Sequence, residues 1–240
     1  MSKKEIAVID MSAHMGEGLE NVTKDDLSFP FLKLLQSTSP EVTAEDSNAK
    51  AGEFLNSVTM ENYGREVKVI LCSYKHQYNH WRERSQGGGF LGAYTSADPI
   101  VAQAKKNMIE KGLKGAQEYL PDGTYLMSTA NFAVIAVNKE GKASPALLAA
   151  ASTQLAPARK LLTAASQFLN AEGKPYPLFA RTYILSTERK TNDSGSWYVL
   201  KFSIGEMIQD KALFDLAVNL SKSFAAYEVK GQEETEEFEG

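Results

Sequence analysis

The chain has 240 residues, 43% of them apolar and one of them cysteine, with a formal net charge of −4. That length buries a substantial core, and one large domain is expected. The lone cysteine excludes an internal disulfide, no run of about 18 apolar residues marks a membrane span, and MSKKEIAVID lacks the apolar stretch of a secretory signal, so a soluble intracellular protein is expected.

Residues 1–26 are polar, include Gly16 and Gly18, and show no sustained period, which predicts a mobile arm. Over 27–42, Phe29, Phe31, Leu32, Leu34 and Leu35 gather around Pro30. The proline disfavours a helix that begins before it, so an extended entry pinned to the core is expected, with room for one helical turn after it. A polar loop covers 43–52. Residues 53–60 then read as a strand pairing with the next one across a turn at 61–64.

The following stretch organises the chain. Val67, Val69 and Leu71 alternate with charged residues, the period-2 pattern of a half-buried strand. Beyond Cys72 the aliphatic face gives way to Tyr74, Tyr78 and Trp81, interleaved with Lys75, Arg82 and Arg84. Gly87, Gly88 and Gly89 predict a tight turn before Phe90 and Tyr94. Flat rings among cations suit the stacking of bases while the cations follow a phosphate backbone. The competing reading is that the rings pack a core or cover a sheet edge.

Asp98 to Leu113 predicts an amphipathic helix capped by Asp98, with Pro99 in its first turn and a stop near Gly112. Its Lys105, Lys106, Lys111 and Lys114 suit a solvated face. Residues 124–138 predict a strand that turns at 139–142 into a second at 146–150. Ser152 or Thr153 then caps a helix with an apolar stripe through Leu155, Ala158, Leu161, Leu162, Ala165 and Leu169, ending at Gly173. Arg159 and Lys160 lie at its middle and become phosphate contacts if that helix lies along a binding groove. Two strands, 175–188 and 197–207, flank a polar turn, and Trp197 and Lys201 extend the groove. Alternation sets Trp197 and Tyr198 on opposite faces. A last helix covers 211–227.

The order of elements predicts an α+β fold with a mainly antiparallel sheet, in its most specific form an oligonucleotide-binding (OB-like) barrel with added helices. Residues 228–240 hold six glutamates against Lys230 alone, so this tail carries −5 and the body is left at +1. A near-neutral body is compatible with a local basic groove. The tail has only Phe238 to bury, which predicts disorder, competition for the groove at low salt, and use as a docking peptide.

The segments FPFLKLLQSTSPEV, AGEFLNSVT, YNHWRERSQGGGFLGAY and SPALLAAASTQLAPARKLL together resemble a group of bacteriophage early-region proteins described as single-stranded-DNA-binding or replication-associated. The likeness spans roughly residues 27 to 205. It implies single-stranded-DNA binding in phage replication or recombination, in the cytoplasm of an infected bacterial host. The tail is similar to those of bacterial and phage single-strand-binding proteins, which implies that Glu236, Glu237 and Phe238 recruit phage or host replication proteins. Here Glu239 and Gly240 follow the aromatic.

Enzymatic chemistry finds weaker support. Cys72, His76 and His80 recur every fourth residue, but along a strand they span about 26 Å, too far for one metal ion. Asp46 with Glu66 and Lys68 has the acid, acid and lysine content of a magnesium nuclease, as does Glu188-Arg189-Lys190 with less context, and alternating charges on a wet strand face produce such triplets freely. No GxSxG elbow occurs, and the three glycines lack the GK[ST] of a phosphate loop. No metal or cofactor is expected. The alternatives to DNA binding are an interaction protein that engages a host protein through the same aromatic surface, and the nuclease.

Overall fold

The computed structural model describes residues 12–22, 28–193 and 195–225. Most of the expected 1–26 arm, and all of the 228–240 tail with Glu236, Glu237 and Phe238, lie outside the described residues. After Pro30 the chain enters extended, as β1 (Leu32–Leu34), and makes one helical turn, α1 (Pro40–Thr43), with Phe31, Leu32 and Leu35 buried. The next two strands are short, β2 (Phe54–Asn56) and β3 (Asn62–Gly64). They pair with each other, and β2 also pairs with β1, in a separate three-stranded sheet. This corrects the expected pairing of 53–60 with the long strand: the turn at 61–64 is itself strand, and it takes the partner.

That long strand, β4 (Glu66–Trp81), runs for 16 residues and reaches β5 (Phe90–Tyr94) through a turn in which Gly87, Gly88 and Gly89 all have positive φ. Only glycine adopts three such conformations in succession without steric cost. The helix α2 (Pro99–Glu110) follows. Asp98 precedes it but does not cap it; its carboxylate accepts from the backbone N–H and hydroxyl of Thr95, at 2.6 and 2.8 Å, closing the preceding turn instead. Next come β6 (Gln117–Tyr119), β7 (Tyr125–Val137) and β8 (Ala143–Ala151). A 3-10 turn over Ser152–Gln154 replaces the expected serine or threonine cap of α3 (Leu155–Ser166), which also ends earlier than Gly173. The chain closes with β9 (Arg181–Asn192), β10 (Gly195–Met207) and α4 (Lys211–Ala225).

The expected α+β class with a mainly antiparallel sheet is what is observed. Strands β4 and β7 pair over their length as a spine. The outer edge of β4 is shared by β9 and β5, and that of β7 by β8 and β6. The OB-like barrel is corrected, because the sheet stays open at β10. At that edge side chains stand in for a partner strand: Gln36 accepts from the N–H of Tyr198 and donates to its carbonyl, while Gln154 donates to the same carbonyl and accepts from the N–H of Leu200, at 2.7–3.1 Å. Two glutamines thus satisfy backbone groups that a further strand would have used, and they blunt the edge against other chains.

Each face of the spine buries its own core. On one lie Val69, Leu71, Phe132, Val134 and Leu148 beneath α3, and further along Tyr78 and Leu126 beneath Val101 and Ala104 of α2. On the other, Ile70, Cys72, Ala133 and Ile135 pack under Ala217, Leu220 and Phe224 of α4. Burial pushes the Cys72 thiol up to about 12, which leaves it unreactive.

Gly52 joins the small sheet to the large one. It has φ +87°, and an added Cβ would lie 2.5 Å from the ring of Tyr198. Its carbonyl accepts from the Thr187 hydroxyl at 2.8 Å. Gly52→Ala is expected to destabilise by about 1–3 kcal/mol from the backbone alone, read as a lower urea midpoint with an unchanged slope.

Candidate functional site

The parity of β4 separates the residues that the sequence grouped together. Tyr74 and Tyr78 point to the face covered by α2 and α3, whereas Lys75 and Trp81 point to the face covered by α4. The first set is largely engaged in packing. Tyr78 is buried against α2, its hydroxyl accepts from Lys105 at 3.1 Å, and that bond holds the Lys105 ammonium above its usual range. The Tyr74 ring lies 5.0 Å from Phe132, and Tyr94 lies 5.9 Å from His80. His76, bonded to Ser128 at 2.9 Å, is held below the usual histidine range by burial, then by the charges of Arg159 and Lys105. Arg159 therefore faces Tyr74 and His76, across the sheet from Trp81. Lys160 is exposed beside it on α3.

On the α4 face the register builds what the sequence did not display. Phe90 pairs with Trp81, Trp81 with Tyr125, and Tyr125 with Tyr119, one ring from each of the adjacent strands β5, β4, β7 and β6. Residues directly opposite in antiparallel strands share a face, so these four rings form a row across the sheet. Trp81 meets Phe90 edge-on at 5.3 Å, and Tyr119 lies 5.8 Å from Tyr125. Trp81 is only 7% exposed, while Phe90, Tyr125 and Tyr119 are partly exposed. Arg82 and Arg84 are exposed in the turn after β4. The Tyr119 hydroxyl donates to the Glu83 carboxylate at 2.7 Å, which ties that turn to the row and raises the tyrosine's pKa.

From the rings towards α4 the face becomes polar. Gln77, Asn79, Thr129 and Asn131 are all buried, with Gln77 donating to Asn79 at 2.7 Å. Lys75 closes this end, its ammonium 5.2 Å from the centre of the Phe224 ring. A trough of about 370 Å3 runs between this face and the segment from Phe31 to Pro40. A second cavity of about 440 Å3 adjoins it, sharing Gln36 and Ala149, and Trp197 lines it with its indole N–H buried and unpartnered. Lys201, exposed on β10, pairs with Glu188 at 3.8 Å.

The structure therefore brings together Trp81 and Phe90, with Lys75 on the same face, and leaves Arg82 and Arg84 exposed in the turn that follows Trp81. It sets Tyr74, Tyr78, Tyr94 and Arg159 on the other side of the sheet, and Trp197 in the adjoining cavity. Tyr119 and Tyr125 were missed. Their own strands gave no mark, but the even spacing of Tyr74 and Tyr78 against the odd position of Trp81 already signalled two faces. Among the described residues no group of three histidine, cysteine or acidic side chains is placed to hold a metal ion. No described helix is long and apolar enough to cross a membrane.

Residues 2–230 fit the family model described as Pam3 phage gp34-like protein. No curated protein and no solved structure matches the chain.

Proposed function

The chain belongs to the Pam3 phage gp34-like family, a phage family, and from that premise we propose that it is a non-enzymatic single-stranded-DNA-binding protein of phage replication or recombination. The observation that carries this reading is the row of four rings across neighbouring strands. Every base has a π-face, so rings presented side by side on a sheet accept a single strand with little regard to sequence. The partly exposed Phe90, Tyr125 and Tyr119 offer the stacking surface, and the buried Trp81 holds them in line. Arg82 and Arg84, exposed in the turn that follows Trp81, would draw in the phosphate backbone by their charge.

A salt titration of binding to an unlabelled oligo-dT tests the proposal. Affinity in the micromolar range or tighter, falling steeply with salt, is expected. Replacing both Arg82 and Arg84 by glutamine should reduce the magnitude of the logarithmic salt slope by about 1.4, at roughly 0.7 per single-strand phosphate. Absence of binding would reject the proposal in favour of a protein-interaction surface, and magnesium-dependent cleavage of the oligonucleotide would make the protein a nuclease.

A further inference from the structure

Asn131 is fully buried, and neither its side-chain nitrogen nor its oxygen has a hydrogen-bond partner. A desolvated amide with both groups unmatched is a standing cost to the fold, and native proteins rarely keep one without a use. Asn131 lines the trough on the α4 face, together with Asn79, Thr129, Trp81 and Tyr125. Among the described residues, no acidic, basic or histidine side chain lines that trough. A metal ion or a phosphate would find no counter-charge there. What fits is a neutral, flat ligand carrying a donor and an acceptor side by side, and the volume of about 370 Å3 falls in the range of small-ligand sites.

We infer that this trough reads one base of the bound strand, taking an adenine edge on the side-chain amide of Asn131. The inference deepens the single-strand reading and rests on it. An asparagine amide matches adenine in both directions at once, the oxygen accepting from N6 and the nitrogen donating to N7. Six residues of β7, about 20 Å, separate Asn131 from Tyr125, so the base held at Asn131 is not the one stacked on Tyr125 but a nearby one on the same strand. The rings hold the strand without choosing, and the amide chooses.

The test is competition among oligo-dA, oligo-dC and oligo-dT of equal length for the wild-type protein at one salt concentration. Oligo-dA is expected to bind about 5–150-fold more tightly than the other two, the range for one bidentate base contact. Asn131→Ala should abolish that preference without changing the salt slope, and its melting temperature should not fall. Should the variant fail to fold, oligo-dA carrying 7-deazaadenine, which lacks the N7 acceptor, gives the same answer on the wild-type chain by losing its advantage. Equal affinities, another order of preference, or an adenine preference that survives Asn131→Ala or the 7-deaza substitution would overturn the inference and leave single-strand binding standing. If no oligonucleotide binds, the single-strand reading falls and the base pocket falls with it.

Discussion

Trp81→Ala is expected to destabilise the protein by about 3–5 kcal/mol, the usual cost of emptying a buried aromatic site. For a chain of this size that corresponds to a fall of about 6–20 °C in melting temperature. The indole is 7% exposed, lies edge-on to Phe90 at 5.3 Å, and occupies the last position of β4 opposite Tyr125. Its removal opens a cavity at the point where three strands meet. Thermal melts and urea titrations measure the stability, and binding to single strands is then measured under conditions where the variant is folded. A large loss of stability with unchanged affinity would make Trp81 a support of the ring row and remove it from the contacting surface.

Tyr125→Ala should show the opposite balance. Tyr125 lies between Trp81 and Tyr119 in the row and is partly exposed, so its ring is available to a base. Loss of one stack weakens single-strand binding by about 1–3 kcal/mol, or about 5–150-fold, with a smaller stability change than that of Trp81→Ala. Tyr125→Phe keeps the ring and should keep the affinity, which separates stacking from any contribution of the hydroxyl. An alanine variant that folds and binds like the wild type would dismiss the ring row as the binding surface.

The two residues are expected to differ because burial differs along one row, and burial depends on what covers each position. The cations differ by face and not by burial. Arg82 and Arg84 are exposed in the turn after β4, while Arg159, exposed on α3, faces Tyr74 and His76 on the opposite side of the sheet from Trp81. Grouping residues by proximity in sequence joined Tyr74 to Trp81. Grouping them by register joins Trp81 to Tyr125 and Tyr119.

Much of the fold was legible in the residues themselves. The alternation from Val67 onward specified β4, the three glycines specified its turn, Pro30 forced the extended entry, and the apolar stripes of α2, α3 and α4 follow a helical period, because these are preferences of the local backbone and its nearest neighbours. The sequence by itself thus determined the alternation of strands and helices, the α+β class and the aromatic content of the central strand, but not the short strands β3 and β6. Tertiary structure alone decided that β2 pairs with β3 and not with β4, that Gln36 and Gln154 cap the open edge of β10 where a barrel would have closed, and that four rings from four strands stand in line. Those outcomes rest on register between segments up to 162 residues apart, as between Gln36 and Tyr198. They are further displaced by irregularities in pairing between Leu71 and Ser73 and between His80 and Trp81. Register is a competition among distant partners for the same backbone groups, so no local pattern in the chain records its result.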